Sequence, residues 1–323
     1  MNVLSPERRA RVIACLADGV SVRATERMTE TDKKTILRLL LDVGEGCERL
    51  HRRMFRDLHC ASLELDEQHS IVAKKTKNLK PDDGEDVGEQ WTWSALDVAS
   101  RAVVAFLVGK RTAENAHALA DDLRARVLGK PTICSDGLRA YVEAIDTAFA
   151  SDGVHFAQLV KQYSGDELAE AKGGYVRYKG AIKVPIFGEP NLDETHTSYI
   201  ERQNLTSRTH MKRLHRRTLC FSKSLRHHRA AVALNFMAYN TVRVHRTLRC
   251  TPAMQLGVLD ELWSIADLVE RALAEPAEAP PVPIAAQAGG GARLTSVPMA
   301  PGAITFATPD GRRVFTLLPG GKK

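Results

Sequence analysis

The chain has 323 residues, of which 44% are hydrophobic and 26% charged, proportions typical of a globular protein. No run of about 18 apolar residues and no apolar signal core occur, so we expect neither a membrane protein nor a secreted one, but a cytoplasmic one. Lys and Arg number 46 against 39 Asp and Glu, which gives a net charge of +7 and weakly favours an anionic partner. The six cysteines stand singly without a C-x-x-C pair, so a zinc site is not indicated.

The first 60 residues predict helices. Ser5-Pro6-Glu7 is a helix start signal, Gly19 ends that helix, and further helices begin near Ser21 and Asp32. Three short helices with a tight turn between the second and third are typical of a helix-turn-helix, whose last helix enters the major groove of DNA. A plain helical bundle is the alternative. The polar groups offered to DNA would be Lys33, Lys34 and Arg38.

After this region the periodicity changes to that of a β-sheet. Residues 61–73 alternate between apolar and polar, which predicts a strand. A hairpin of two strands is predicted at 90–98 and 102–108, followed by a helix, a strand, a helix and a strand at 112–127, 132–135, 138–149 and 155–160. This is the order of a ribonuclease-H-like fold. We therefore expect an α/β protein whose mixed sheet has flanking helices and is preceded by an all-α helix-turn-helix.

The C-terminal half is less regular. Residues 161–195 are polar with no clear period and are interpreted as an insertion that loops out, and helices are predicted at 198–214 and 222–243. The Ala/Pro/Gly-rich stretch 274–291 indicates disorder, and two β-prone runs predict a small hairpin within 303–318. We expect three parts: a helix-turn-helix with a linker helix (1–60), a ribonuclease-H-like catalytic core (61–265) and a mostly disordered tail (266–323).

The basic residues are unevenly distributed. From Arg202 to Leu259 there is no acidic residue, whereas the stretch holds twelve Lys or Arg and five His. A basic block of this length in a folded sequence points to contact with a polyanion, and a solvated positive face is the alternative. The residues of this block expected to contact DNA include Arg202, Lys212, Arg213, Arg216 and Arg217.

Three carboxylates are placed where this topology would bring them together. Asp66 lies on the polar face of the first strand, Asp136 follows the fourth strand, and Glu201 opens the basic helix. Neighbouring strands lie about 4.8 Å apart, so the two aspartates can share a metal ion. Carboxylate oxygens suit Mg²⁺ or Mn²⁺, and two such ions can activate a water or a 3′-hydroxyl at a phosphodiester.

Other acids compete for these roles. Glu64 shares a strand face with Asp66 but lies nearer the start of the strand, and Glu67 should point the opposite way. Asp193 and Glu194 compete with the third carboxylate from the loop that precedes its helix.

Several sequence blocks resemble bacterial insertion-sequence transposases of the DDE type, above all the insertion sequence 1 family. The resemblance covers roughly residues 1–265. The blocks that carry it are 64–67 (ELDE), 91–97 (WTWSALD), 135–141 (SDGLRAY), 199–205 (YIERQNL), 239–248 (YNTVRVHRTL) and 251–254 (TPAM).

The resemblance implies a DNA transposase that cuts and joins insertion-sequence ends by two-metal phosphodiester hydrolysis and strand transfer. The family's catalytic and metal-binding triad falls on Asp66, Asp136 and Glu201, with two Mg²⁺ or Mn²⁺ ions as cofactors. The implied partner is double-stranded DNA, as inverted-repeat ends and as target, bound by a homo-oligomer at the nucleoid. Asn204 and Arg208 follow three and seven residues after Glu201, where they could touch the scissile phosphate, orient Glu201 or simply pack.

Two departures from the family keep other interpretations open. Gln68-His69 stand where relatives often carry an apolar residue and a tryptophan, and 65 positions separate Asp136 from Glu201, an unusually long gap. Neither departure removes an acid, but both are compatible with a decayed, inactive copy. A helix-turn-helix regulator whose second domain only dimerises is the alternative from another class.

Overall fold

In the computed structural model the described residues are 4–149, 153–164, 177–215, 218–276, 304–307 and 314–317. Contacts divide the chain into two units, Met1–Ala277 and Glu278–Lys323. In the second unit only two strands are described, β7 (Ile304–Ala307) and β8 (Val314–Leu317), which pair antiparallel. Arg216 and Arg217, two of the expected DNA contacts, lie outside the described residues.

The first unit begins with α1 (Pro6–Ala17), α2 (Val22–Thr29) and α3 (Lys33–Met54). Each helix starts as its sequence predicts, because the side chains of Ser5, Ser21 and Asp32 accept backbone N–H groups of the first turn. Glu30 adopts a left-handed conformation (φ 50°) and turns the chain between α2 and α3. The third helix is a single element of 22 residues, so the predicted linker helix is its continuation.

Six strands form one mixed sheet in the order β3-β2-β1-β4-β5-β6. β1 pairs parallel with β4, and β4 with β5, while the remaining neighbours are antiparallel. The first five strands occur in the predicted order. The bounds are β1 (Ser62–Val72), β2 (Gly88–Asp97), β3 (Val103–Gly109), β4 (Thr132–Asp136), β5 (His155–Ser164) and β6 (Arg177–Phe187).

The sixth strand differs from the prediction that residues 161–195 loop out. β6 pairs antiparallel with β5, with Val184 opposite Gln158. The sequence of β6 does not indicate a strand, because Gly180 and Pro185 interrupt the expected alternation of apolar and polar residues. Both residues are tolerated here because β6 is an edge strand, and the register shifts beside Pro185.

The described residues of this unit contain six further α-helices: α4 (Ala113–Arg124), α5 (Ala140–Phe149), α6 (Ser198–His210), α7 (Leu225–Thr241), α8 (Pro252–Gln255) and α9 (Ile265–Ala274). Alternate residues of β1 contact opposite sides, since Glu67 reaches Tyr141 of α5 while Asp66 reaches Asn204 of α6. The sheet is therefore covered on both faces. None of the helices in the described part of the chain has the length and apolar character needed to cross a bilayer.

The last helix lies inside the region expected to be a disordered tail from residue 266. α9 starts with a capping box between Ser264 and Asp267, and it buries Leu268, Val269 and Ala272. It packs against α3 and α1. Part of the expected tail is therefore helical, and the sequence did not indicate this helix because it shares the alanine content of the stretch that follows.

Helix α3 passes very close to two other helices. A Cβ atom added to Gly44 would lie 2.3 Å from the carbonyl oxygen of Ala230 in α7, and one on Gly46 would lie 2.0 Å from that of Ala272 in α9. Glycine costs a helix about 0.5–1 kcal/mol relative to alanine, so its presence here is explained by the close approach of the backbones. The N-terminal helices and the core consequently share one interior.

Candidate active site

Two of the predicted acids meet at the end of β4. Leu65 and Ser135 form the last registered pair of β1 and β4, and Asp66 and Asp136 are the next residues along each strand. Oxygen atoms of Asp66, Asp136 and a third carboxylate, Glu67, all lie within 4.8 Å of one another. Among the described residues, these three form the group of acids spaced to hold a metal ion.

The inclusion of Glu67 corrects the expectation that its direction would keep it away. Its side chain does leave the opposite face of β1, where it accepts a hydrogen bond from Tyr141 (3.2 Å) and is held by the guanidinium of Arg111 (Nε–Oε1 2.8 Å). However, β4 ends at Asp136, so no neighbouring strand separates the Glu67 carboxylate from those of Asp66 and Asp136. The alternation along a strand predicts from which face of the sheet a side chain projects. It does not predict how far a long side chain such as that of Glu67 reaches past the end of the neighbouring strand.

Glu201 lies beside this group rather than within it. Its side chain is 45% exposed and accepts hydrogen bonds from Lys161 Nζ (2.6 Å) and Thr197 Oγ1 (3.0 Å). Its negative charge nevertheless contributes to raising the pKa of Asp66. The alternatives Asp193 and Glu194 are exposed and lie in the loop before α6, whereas the charge of Glu201 acts on Asp66.

Asp66 is the electrostatic centre of the site. Burial, followed by the charges of Glu67 and Asp136, raises the pKa of Asp66 to about 7. Its two oxygens accept hydrogen bonds from the backbone N–H of Glu67 (2.8 Å) and from Nδ2 of Asn204 (2.7 Å). Burial and Asp136 also raise the pKa of Glu67, even though Arg111 opposes the shift. Several anions crowded in a buried place are what a bound cation would stabilise.

The loop that carries Asp136 is fixed by a residue that sequence reasoning missed. Gln158 of β5 is buried and donates hydrogen bonds from Nε2 to Leu138 O (2.9 Å) and Ser135 Oγ (3.2 Å). Asp136 itself accepts the backbone N–H of Leu138 (3.1 Å). The available signal was a glutamine within an apolar strand, since a buried amide requires partners.

The basic candidates occupy two kinds of environment. On α3, the side chains of Lys33, Lys34 and Arg38 are exposed. In the basic block Arg202 and Lys212 are exposed as well.

Three other candidates in this stretch are buried or half-buried. Asn204 is buried against Asp66. Arg213 is half-buried and donates from Nη1 to Ser222 Oγ (3.1 Å) and to the carbonyl of His227 (3.3 Å). Burial lowers the pKa of Arg213 to about 10. Arg208 is half-buried on the same helix as Asn204. The block is therefore only partly a solvated face.

In this α/β chain, aspartates of two adjacent parallel strands lie close together, beside the helix α6 that bears the exposed Arg202. The family model described as IS1 transposase matches residues 187–241, which include α6 and α7. The protein InsB of insertion element iso-IS1n from Shigella dysenteriae is 28% identical over 169 residues, covering 52% of this chain and 88% of that protein. The predicted resemblance to insertion sequence 1 transposases is thereby confirmed.

Two solved transposase complexes are also similar to this chain. One is the synaptic complex of piggyBac transposase with hairpin DNA, with 10% identity, a TM-score of 0.41 and coverage of 84% of this chain and 71% of that chain. The other is the Mos1 transposase paired-end complex with the left transposon end, with 14% identity, a TM-score of 0.20 and coverage of 47% and 59%. These TM-scores are too low to indicate a shared overall fold.

Proposed function

We propose that this chain is a DDE transposase that cuts DNA at the ends of an insertion sequence and joins them to target DNA. The observation that carries the proposal is the convergence of Asp66 and Asp136 in a chain similar to IS1 transposases. The core is of the ribonuclease-H-like type, as its order of strands and helices supports. A regulator that only binds DNA has no use for carboxylates crowded in this way.

The donor set fits a hard divalent cation. Asp66, Asp136 and Glu67 offer only carboxylate oxygens within a 4.8 Å group, the ligands that Mg²⁺ and Mn²⁺ prefer. The raised pKa of Asp66 supports the same conclusion, since burial and the neighbouring anions disfavour its ionised form and a bound cation would favour it. Asp66, Asp136 and Glu201 would hold two divalent cations, and such ions would activate a water or a 3′-hydroxyl and stabilise the leaving oxygen at phosphorus.

The protein's own groups orient the reaction. Asn204 holds Asp66 in place, and Gln158 holds the loop of Asp136. Glu201 is the third member of the triad, kept near the aspartates by α6, and its carboxylate is shared with Lys161.

The DNA runs along exposed basic side chains. Arg202 and Lys212, which are exposed, and Arg208, which is half-buried, bind phosphates of this DNA. Arg216 and Arg217 lie outside the described residues, and they are assigned the same role from the sequence alone. The helix-turn-helix, through Lys33, Lys34 and Arg38, selects the inverted-repeat ends. The partner is therefore double-stranded DNA at the nucleoid, bound by a homo-oligomer that holds two ends together.

The proposal is tested with the full chain and linear DNA that carries the inverted repeats flanking the coding sequence. With Mg²⁺ or Mn²⁺ we expect nicks at the element ends that leave 3′-hydroxyls, together with joined products. Chelation of the metal should abolish both. Binding to the ends without any cleavage, with both metals supplied, would instead identify a regulator or a decayed copy.

Glu67 is the internal rival of Glu201 and is tested in the same assay. Glu201→Gln should abolish cleavage and leave the unfolding transition unchanged, because Glu201 is half exposed. Glu67→Gln should mainly lower stability, since Arg111 and Tyr141 lose a buried charged partner. Cleavage by Glu201→Gln at the wild-type rate, together with a folded but inactive Glu67→Gln, would assign the third ligand to Glu67.

A further inference from the structure

Three residues on one face of β1 make direct hydrogen bonds to α6. Glu64 accepts the backbone N–H of Ile200 (2.7 Å), Asp66 accepts Nδ2 of Asn204 (2.7 Å), and Gln68 Nε2 donates to the carbonyl of Asn204 (3.0 Å). We call this set of contacts the β1–α6 seam. It joins the strand that carries Asp66 to the helix that carries Glu201.

The spacing of the seam follows from elementary geometry. Glu64 and Asp66 are two residues apart on a strand, a distance of about 6.6 Å at 3.3 Å per residue. Ile200 and Asn204 are four residues apart on a helix, a distance of about 6 Å at 1.5 Å per residue. The two repeats match, so a helix lying along β1 meets the same strand face at both positions. The sequence blocks that contain these residues can therefore dock in one register.

Glu64 performs the task of a missing helix cap. The residue before α6, Thr197, makes no side-chain capping hydrogen bond. The Glu64 carboxylate, 1% exposed, instead accepts the N–H of Ile200 through Oε2 and approaches His196 Nδ1 (2.7 Å) through Oε1. A carboxylate at a helix N-terminus is also favoured by the helix dipole. Glu64 thus holds the first turn of α6, where Glu201 follows Ile200 directly.

We infer that Glu64 is a positioning residue for the proposed metal site: by anchoring the first turn of α6 to β1, it sets Glu201 beside Asp66. This inference rests on the proposed function for its catalytic meaning, whereas the anchoring itself is independent of it. This role replaces that of a metal ligand, for which Glu64 was an alternative to Asp66 in the sequence analysis. Both Glu64 oxygens are already engaged by α6 and His196.

Two substitutions of Glu64 separate the loss of its charge from the loss of its hydrogen bonds. Glu64→Gln keeps an oxygen for the N–H of Ile200 and places an N–H₂ against His196 Nδ1, so a positioning role should survive. Glu64→Ala removes both contacts. Glu143→Gln, the same change at an exposed glutamate of α5, is the matched control.

Two measurements are made on each folded full-length variant. The first is hydrogen exchange of the amides of residues 199–201, and the second is the Mn²⁺ concentration that gives half-maximal cleavage of end DNA. For Glu64→Ala we expect exchange to be at least roughly ten-fold faster and the Mn²⁺ requirement to rise about 10- to 100-fold, as for other groups that orient metal ligands. Glu64→Gln should stay within about ten-fold of the wild type in both.

Two results would overturn the inference. A folded Glu64→Gln protein as inactive as Asp66→Asn would make the charge of Glu64 essential, as for a ligand. Wild-type exchange and Mn²⁺ requirement in Glu64→Ala would mean that the seam does not hold α6. If Glu64→Ala fails to fold, Glu64→Asp takes its place, because the shorter side chain withdraws the carboxylate from the N–H of Ile200. Wild-type exchange of residues 199–201 in that variant contradicts the anchoring. A wild type without metal-dependent cleavage would refute the proposed function, while the exchange data still decide the anchoring.

Discussion

Lys212 and Arg213 are neighbours in the sequence with opposite environments. Lys212 is exposed, whereas Arg213 donates inward to Ser222 and to the carbonyl of His227. For Lys212→Ala we expect the slope of log K against log salt for DNA binding to flatten by about 0.9, with no change in stability. Salt titrations of the variant and the wild type measure the slope.

Arg213→Ala should behave differently. The loss of the hydrogen bonds that this charged donor makes to Ser222 Oγ and to the carbonyl of His227 should lower the free energy of unfolding by roughly 1–3 kcal/mol. Urea denaturation of both variants provides the comparison. If Arg213→Ala keeps wild-type stability while flattening the salt slope as Lys212→Ala does, Arg213 faces the DNA and the structural role is wrong.

The sequence predicts the positions of some site residues but not of others. The meeting of Asp66 and Asp136 could be predicted, since both positions follow from strand alternation and the parallel pairing of neighbouring strands. The position of Glu67 could not, because it depends on where β4 stops and on Arg111 and Tyr141, which are distant in sequence. The inward direction of Arg213 could not be predicted either, since its partners Ser222 and His227 lie in the loop before α7 and in α7 itself.

At the scale of elements, helix α3 is held by close contacts that no periodicity reveals. For Gly46→Ala we expect a loss of roughly 1–3 kcal/mol of stability through overpacking, because the new Cβ would lie 2.0 Å from a backbone oxygen of α9. Alanine should otherwise favour a helix by about 0.5–1 kcal/mol. Thr35→Ala, at an exposed position of the same helix, is the control and should cost little. Urea midpoints measure both, and a more stable Gly46→Ala would contradict the close crossing.

The N-terminal half of α3 presents the proposed DNA-reading surface. Replacing Lys33, Lys34 and Arg38 by alanine should reduce the preference for element ends over random DNA, since base contacts carry discrimination. The full chain is required because α3 shares its interior with α7 and α9. Competition gel shifts measure the preference, with Lys130→Ala, an exposed residue before β4, as control. An unchanged preference would exclude this helix as the reader of the ends.

Strands and helices with a strong sequence periodicity could be predicted, whereas the edge strand β6 and the helix α9 could not. The first five strands could be placed because each alternates or is bounded by turn residues. The edge strand β6 contains Gly180 and Pro185, which resemble loop signals, and α9 precedes a stretch of similar composition. In both cases the neighbouring element, β5 or α3, decides the structure.

At the scale of the whole molecule, stability should depend on pH through buried histidines. Burial, followed by the charge of Arg213, lowers the pKa of His228 to about 3 from its ordinary value of 6.5. His228 therefore stabilises the fold fully above about pH 6.5, and this contribution is lost as the pH falls toward 3, at up to about 1.4 kcal/mol per pH unit.

The difference in unfolding free energy between the wild type and His228→Gln isolates this effect, because other groups cancel. We expect that difference to shrink by roughly 2 kcal/mol between pH 7 and pH 5. Urea denaturation at both pH values gives the numbers, and His59→Gln, at an exposed position, should show no such change. A difference that is equal at both pH values would mean that the pKa of His228 is not lowered in the fold.

The central claim is that the aspartates brought together by β1 and β4 cut DNA with a divalent metal. It is tested most directly by measuring end binding and end cleavage in parallel for the wild type and Asp66→Asn in the presence of Mg²⁺. Asparagine keeps the shape of the side chain but removes the charge of a metal ligand, so binding should persist while cleavage is lost. Cleavage by Asp66→Asn at the wild-type rate would contradict the account.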